Sequence, residues 1–327
     1  MASTRFSDRA KRLVGQGMFA IKQIAEDQER LMGLKFKHFE IGDSTFDAPI
    51  SVKKACIKAI KENKTHYVDS KGLYELRKKI SDKECVDIEK VLICPANFAI
   101  FASLSVLCNK GDTVTIPNPY FPTYKAVAKY LGLKIGKKGK VTIMNSPNNP
   151  TGQYSKHIKA EDWLIEDNVY HELAYDSGIV LSSSCDLGRR IKICSFSKSH
   201  AMSGFRLGYM IAPSEVIDKV ALLVETTVSC FPEFIQWAGL AALDSETHMR
   251  KLMESRDLMY EKLKNHYDVK KPQGGIYFWV PVKDDLKEFN KLLEKGIVVC
   301  PGRIFGRKNY IRFCFAKSPE EIKGLNL

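Results

Sequence analysis

No two of the nine cysteines, which stand apart between Cys56 and Cys314, are spaced as CxxC. That absence argues against a zinc site or thiol redox chemistry, so no metal is expected. An odd count fits a reducing compartment better than a disulfide framework. Several of the thiols sit in apolar runs, where cysteine behaves as a small hydrophobe. The start, MASTRFSDRAKRL, lacks an uninterrupted apolar stretch, because Arg5, Asp8, Arg9, Lys11 and Arg12 break it. A secretory signal needs such a stretch, and no segment approaches the length of a membrane span. Low-complexity runs are missing too, which argues against long disorder. A cytoplasmic protein with no membrane partner is expected.

Basic residues outnumber acidic ones, 51 to 38, for a formal charge of +13. The excess is dispersed, with one short cluster at Lys134, Lys137, Lys138 and Lys140. Dispersed charge bears more on solubility than on partners. No nucleic-acid partner is therefore expected, whereas small anions and phosphates fit. With 327 residues and 44% hydrophobic content, the chain can build one large domain and one smaller one.

Apolar spacing predicts helices over residues 20–32, 51–62 and 73–80. Short apolar runs follow at 91–94, 113–116, 141–144, 163–165, 191–194 and 207–212, with helical stretches such as 99–107 and 124–131 between them. Strands without clean alternation, separated by helices, indicate an α/β fold with a largely parallel sheet buried on both faces. In the last third the pattern changes to helices over 216–226, 234–243 and, the longest, 246–264, then strands at 276–280, 297–300 and 310–315, with the boundary near Asp244. This reads as a smaller α+β domain. The expected division is 45–244 for the large domain, with 1–44 and 245–327 forming the small one.

Polar residues cluster just after the strand-like runs. Pro95-Ala96-Asn97, Asn118-Pro119-Tyr120-Phe121, the NSPNNPTG run ending at Gly152, Glu166-Asp167-Asn168, and Ser195-Phe196-Ser197-Lys198 each follow one. Ligands of open α/β sheets bind beyond the carboxyl ends of the strands, so five such ends predict one site. The 199–205 connection is too short for a parallel crossover, so the 207–212 strand should run antiparallel to its predecessor if the two pair. Arg206 would then begin at the edge where Lys198 ends.

These residues resemble the class I/II aminotransferases of pyridoxal 5′-phosphate (PLP) fold type I. The resemblance is carried by SFSKSHAMSGFRLGY (Ser195 to Tyr209), NNPTG, the pair Asp167 and Tyr170, Tyr67 with the later GLYELR, Pro119 to Phe121, PQGGIYFW and Tyr310-Ile311-Arg312-Phe313. It runs from about Ile41 to Phe315. It implies a seven-stranded, mostly parallel sheet and a homodimer with shared sites. It also implies PLP as cofactor and transfer of an amino group from a small-molecule amino donor to a 2-oxo acid in two half-reactions.

The resemblance also implies roles that suit the chemistry of each side chain. Lys198 would condense with the cofactor aldehyde and then move the substrate's Cα proton. Asp167 would keep the pyridine nitrogen protonated. Asn149 and Tyr170 would bond the phenolic oxygen. Arg206, Ser195, Ser197 and the amides of Ala96 and Asn97 would take the phosphate, joined by Tyr67 from the other subunit. Phe121 would stack on the ring. Arg312 would fork onto the substrate carboxylate, with Asn149 and Gly42 beside it.

The chain departs from the pattern of the family it resembles in three ways. It is short, with little room between Tyr124 and Asn145 and between Gly152 and Trp163, and SPEEIKGLNL stops where relatives continue into a helix. Pro95, where relatives often have glycine, has no N–H to offer a phosphate. Asn97 stands where acidic-substrate relatives can place a lysine, which lowers the case for aspartate. Tyr120, Phe19 and Phe46 could suit a neutral or aromatic substrate, or simply pack. Two alternatives to transamination stand beside it: another reaction of the same fold (elimination, decarboxylation or acyl transfer), and a non-catalytic ligand sensor.

Overall fold

The computed structural model describes residues 5–154, 160–175 and 188–327. Its centre is a seven-stranded sheet of β1 (Val91–Ile93), β2 (Thr113–Thr115), β3 (Lys134–Ile135), β4 (Val141–Asn145), β5 (Trp163–Asp167), β6 (Arg190–Ser195) and β7 (Gly208–Ile211). The strand order is β1-β7-β6-β5-β4-β2-β3. All neighbours are parallel except β7, which is antiparallel to both β1 and β6, as the short connection before it requires.

The missing alternation in these strands has a direct cause. Leu92, Ile191, Ile193 and Met210 pack under helices Ala96–Leu107, Pro122–Leu131 and Ser214–Thr227. Their neighbours Val91, Ile93, Cys194, Tyr209 and Ile211 pack under Ile50–Lys61, Tyr74–Glu84 and Glu233–Ala242 on the other face. Both faces are covered, so consecutive residues must all be apolar. Gly208 starts β7 where three strands crowd: a Cβ there would lie 2.4 Å from the Cys194 carbonyl oxygen and 3.1 Å from that of Cys94. Strand β3 gave no sequence signal, since its two residues are exposed at the sheet edge and flanked by Gly132 and Gly136.

A second, antiparallel sheet joins β8 (Tyr277–Pro281), β9 (Cys300–Pro301) and β10 (Tyr310–Cys314) in the order β9-β10-β8. The single strand expected over 297–300 divides. Ile297–Val298 pairs with Lys37–His38, while Cys300–Pro301 joins β10. Helix Gly17–Met32 packs Met18, Ile21 and Ala25 against Val298, Cys300 and Phe305. The residues before it lean the other way: the Arg12 guanidinium donates to the Tyr130 carbonyl at 3.4 Å, and Gln16 Nε2 to Thr123 Oγ1 at 2.7 Å. A short helix, Pro319–Lys323, forms near the C-terminus with a Ser318/Glu321 capping box, and Ile322 and Leu325 are buried. The shortening expected between Gly152 and Trp163 falls largely on 155–159, and Cys185 on 176–187, both outside the described residues. Among the described residues no helix is long and apolar enough to cross a membrane.

Candidate active site

The ends of β4, β5 and β6 and the start of helix Ala96–Leu107 open onto one cavity of about 480 Å³. Eleven of the thirteen residues expected to hold cofactor or substrate line it: Gly42, Ala96, Asn97, Phe121, Asn149, Asp167, Tyr170, Ser195, Ser197, Lys198 and Arg206. Arg312 lies behind the wall, fully buried, and touches the lining through Asn149. Tyr67 does not line the cavity; it is 86% exposed. Phe19 lines the mouth. Tyr120 and Phe46 do not: Tyr120 packs on Gly306, and Phe46 on His248.

One end of the cavity is built from donors. Ser195 Oγ lies 3.0 Å from Ser197 Oγ and accepts the Ser197 N–H at 3.2 Å. Arg206 reaches this end from a left-handed turn at φ 54°, its guanidinium donating to the Ser203 carbonyl at 2.8 Å. Helix Ala96–Leu107 begins here with no side-chain cap, so its first amides lack intrahelical partners. Pro95 sits at the N-cap and brings no N–H, which leaves the amides of Ala96, Asn97 and Phe98 as the donors of this helix start.

Asp167 is the last residue of β5 and is 3% exposed. Burial pushes its carboxyl up to about 6, while hydrogen bonds from the Tyr124 hydroxyl and the Val169 N–H pull the other way. Its backbone carbonyl accepts from Asn145 Nδ2 at 2.9 Å, and Asn145 Oδ1 accepts the Asn149 N–H at 2.6 Å. Asn149 Nδ2 in turn lies 3.4 Å from the Tyr170 hydroxyl, which lies 3.4 Å from that of Tyr277. Tyr124, Asn145 and Tyr277 had no assigned role from sequence. Tyr124 lies within a predicted helix, and only the fold turns its hydroxyl toward Asp167.

Lys198 projects from the short helix Phe196–Ser199, and its amine donates to the Gly42 carbonyl. Burial lowers its pKa; Cys314 and Asp43 oppose that, and Arg312 and Arg206 add to it. Arg312 is held by contacts on several sides. It donates to Asn149 Oδ1 at 2.9 Å and to the Glu40 carbonyl, and its guanidinium carbon lies 4.0 Å from the Tyr277 ring centre and 4.5 Å from that of Phe305. Its Nε is buried without a partner. The site therefore combines a desolvated amine, a buried carboxylate, a donor-rich end and a guanidinium clamped by aromatic faces.

The family described as aminotransferase class I and II matches this chain over residues 37–137 and 134–325. A (5-formylfuran-3-yl)methyl phosphate transaminase of Methanocaldococcus jannaschii is 33% identical, over 96% of this chain and 96% of its own. That alignment spans 356 positions against 327 residues here, so the difference in length is taken up by internal gaps. An aspartate aminotransferase of Sulfurisphaera tokodaii is 29% identical over 97% of this chain and 95% of its own. Among solved structures, a protein of Methanococcus jannaschii described as similar in its active site to kynurenine aminotransferases superposes with a TM-score of 0.91 at 30% identity, covering 98% of this chain and 97% of that one.

Proposed function

Since this chain belongs to the class I and II aminotransferase family and is an enzyme that transfers amino groups, we propose that its cavity seats pyridoxal 5′-phosphate, with Lys198 as the residue that binds the cofactor aldehyde. The observation that carries this reading is the convergence of Lys198, Asp167 and the Ser195/Ser197/Arg206 donor set in one cavity. The donor set fits the group. Two hydroxyls, a guanidinium and an uncapped helix start suit a phosphate. A buried carboxylate suits a protonated ring nitrogen, and the Phe121 ring in the wall suits a planar heterocycle. When bound, the cofactor supplies an electron sink for the substrate's Cα.

The protein's own groups do the rest. Burial favours the neutral form of the Lys198 amine, the form that nucleophilic attack requires. The same amine, once released, would take the proton from the substrate's Cα and carry it to the cofactor carbon. Asp167, oriented by Tyr124 and Val169, would hold the proton on the ring nitrogen. Asn149 and Tyr170 would bond the phenolic oxygen, and the amides of Ala96 and Asn97 would join the phosphate set. Arg312, already aligned by Glu40 and Asn149, would fork onto the substrate carboxylate beside Gly42. Retaining that carboxylate favours amino transfer to a 2-oxo acid over decarboxylation.

The active unit in this reading is a homodimer in which Tyr67 reaches the partner's phosphate. The exposed Ile57, Ile60 and Tyr74 on the same stretch of chain support a covered surface there. Residues 45–244 form the large domain, and 1–44 with 245–327 the small one. The free buried thiols of Cys94, Cys194, Cys300 and Cys314 fit a reducing cytoplasm. The test is an absorbance spectrum of the protein with PLP. A band that shifts with an amino acid and returns with a 2-oxo acid supports the reading, and a spectrum unmoved by any amino donor refutes it.

A further inference from the structure

Every positive charge that the described residues of this chain bring to the cavity has a task in the proposed function, and the inference here rests on that function. The cations lining it, among the described residues, are Lys198 and Arg206, with Arg312 behind the wall. Lys198 serves the amine chemistry, Arg206 the phosphate and Arg312 the substrate's α-carboxylate. A second carboxylate on the substrate would find no further cation among this chain's described lining residues. It would instead meet Asp43, which lines the mouth, and whose carboxylate accepts from the Ser203 hydroxyl. Moving an unpaired carboxylate out of water is costly, and a like charge beside it adds to the cost.

The walls point the same way. Met18 lines the cavity, its Sδ 3.2 Å from the Arg312 guanidinium, so the wall next to the carboxylate-binding group is a thioether. Phe19, Ile41 and Phe121 complete that side. Gln16, the polar residue of this segment, has its amide nitrogen engaged by Thr123 at 2.7 Å. A thioether among apolar side chains adapts to apolar groups of different shape and offers nothing to a carboxylate. We propose that this enzyme takes its amino group from amino acids with neutral, apolar or aromatic side chains and discriminates against dicarboxylates, with Met18, Phe19 and Ile41 as the selecting wall and Asp43 as the excluding charge.

The test uses the holoenzyme and two unreactive carboxylates, 3-phenylpropionate and maleate, followed by calorimetric titration, so that it does not depend on turnover. The expected result is that 3-phenylpropionate binds on the order of tenfold more tightly. L-phenylalanine or L-leucine should likewise exceed L-aspartate and L-glutamate in single half-reactions. Phe19→Arg places a cation at the mouth on a residue that is already 58% exposed, so folding should survive. It should raise maleate affinity about tenfold. Maleate binding at least as tight as 3-phenylpropionate to the unaltered enzyme would overturn the proposal. So would a folded Phe19→Arg variant with unchanged maleate affinity. If neither class of amino acid is converted, the proposed function fails, while the two carboxylates still rank the cavity's preference.

Discussion

Asp167→Asn should make the cofactor-free protein more stable at neutral and alkaline pH while disabling the enzyme. Burial raises this carboxyl from its ordinary 3.8 to about 6. A gap of roughly two units corresponds to about 3 kcal/mol. The sign follows from proton counting. Between about pH 4 and pH 6 the folded chain holds this proton and the unfolded chain has lost it, so stability falls as pH rises through that window. Above pH 6 the cost is fully present. Asparagine removes the buried charge and can still accept the Tyr124 hydroxyl, but it loses the 3.4 Å bond from the Val169 N–H. Allowing about 1–2 kcal/mol for that loss leaves a net gain of about 1–2 kcal/mol near pH 8. Near pH 5 the wild type has regained roughly half of that cost, so the advantage should shrink accordingly. The assay is urea unfolding of both cofactor-free proteins at the two pH values and one protein concentration, read as the difference between variant and wild type. A variant less stable than wild type near pH 8, or an advantage that does not change with pH, would refute the reasoning. With PLP bound, the variant should lose several orders of magnitude in turnover, because a few kcal/mol of transition-state stabilisation go with the charge.

Four further outcomes follow from the same geometry. Lys198→Ala should fold but yield no pyridoxyl-labelled peptide after borohydride reduction; a label on another lysine would displace Lys198 from its role. Arg312→Lys keeps the charge and loses the fork, so kcat/KM for amino acids should fall by about 30-fold or more in steady-state assays. Mixing Tyr67→Arg with Lys198→Ala under subunit exchange should restore activity, because one site of each hybrid dimer is intact. If native mass spectrometry shows hybrids and activity stays absent, while Tyr67→Arg alone is inactive, the shared-site reading fails. Gly208→Ala should cost about 2–3 kcal/mol in denaturant unfolding, since its Cβ would sit 2.4 Å from the Cys194 carbonyl oxygen with no flexible side chain to yield.

Much of the site was readable because its chemistry is local in the chain. Lys198 with Arg206 eight residues later, and Asp167 with Tyr170, are short-range patterns at strand ends, and the order of strands and connections set where they would meet. The antiparallel β7 was readable for the same reason: the length of the preceding connection leaves no room for a crossover. Edge strand β3 and the division of the 297–300 segment were not, because two exposed residues carry no periodicity and a change of sheet is decided by partners far away in the chain.

The amino-acid sequence by itself determined the α/β class, the strand ends that carry the polar groups and the candidates for the reacting amine and carboxylate. Each of these depends on backbone period, turn length or the chemistry of one side chain. Only the tertiary structure decided that the Tyr124 hydroxyl orients Asp167, that Arg312 is clamped behind the wall by Tyr277 and Phe305, and that Met18 and Phe19 come to line the cavity from a segment nearly 300 residues before Arg312. The physical reason is that burial and pairing are properties of a folded neighbourhood. A carboxyl pushed up to about 6 and a guanidinium sandwiched by aromatic rings exist once distant segments exclude water together.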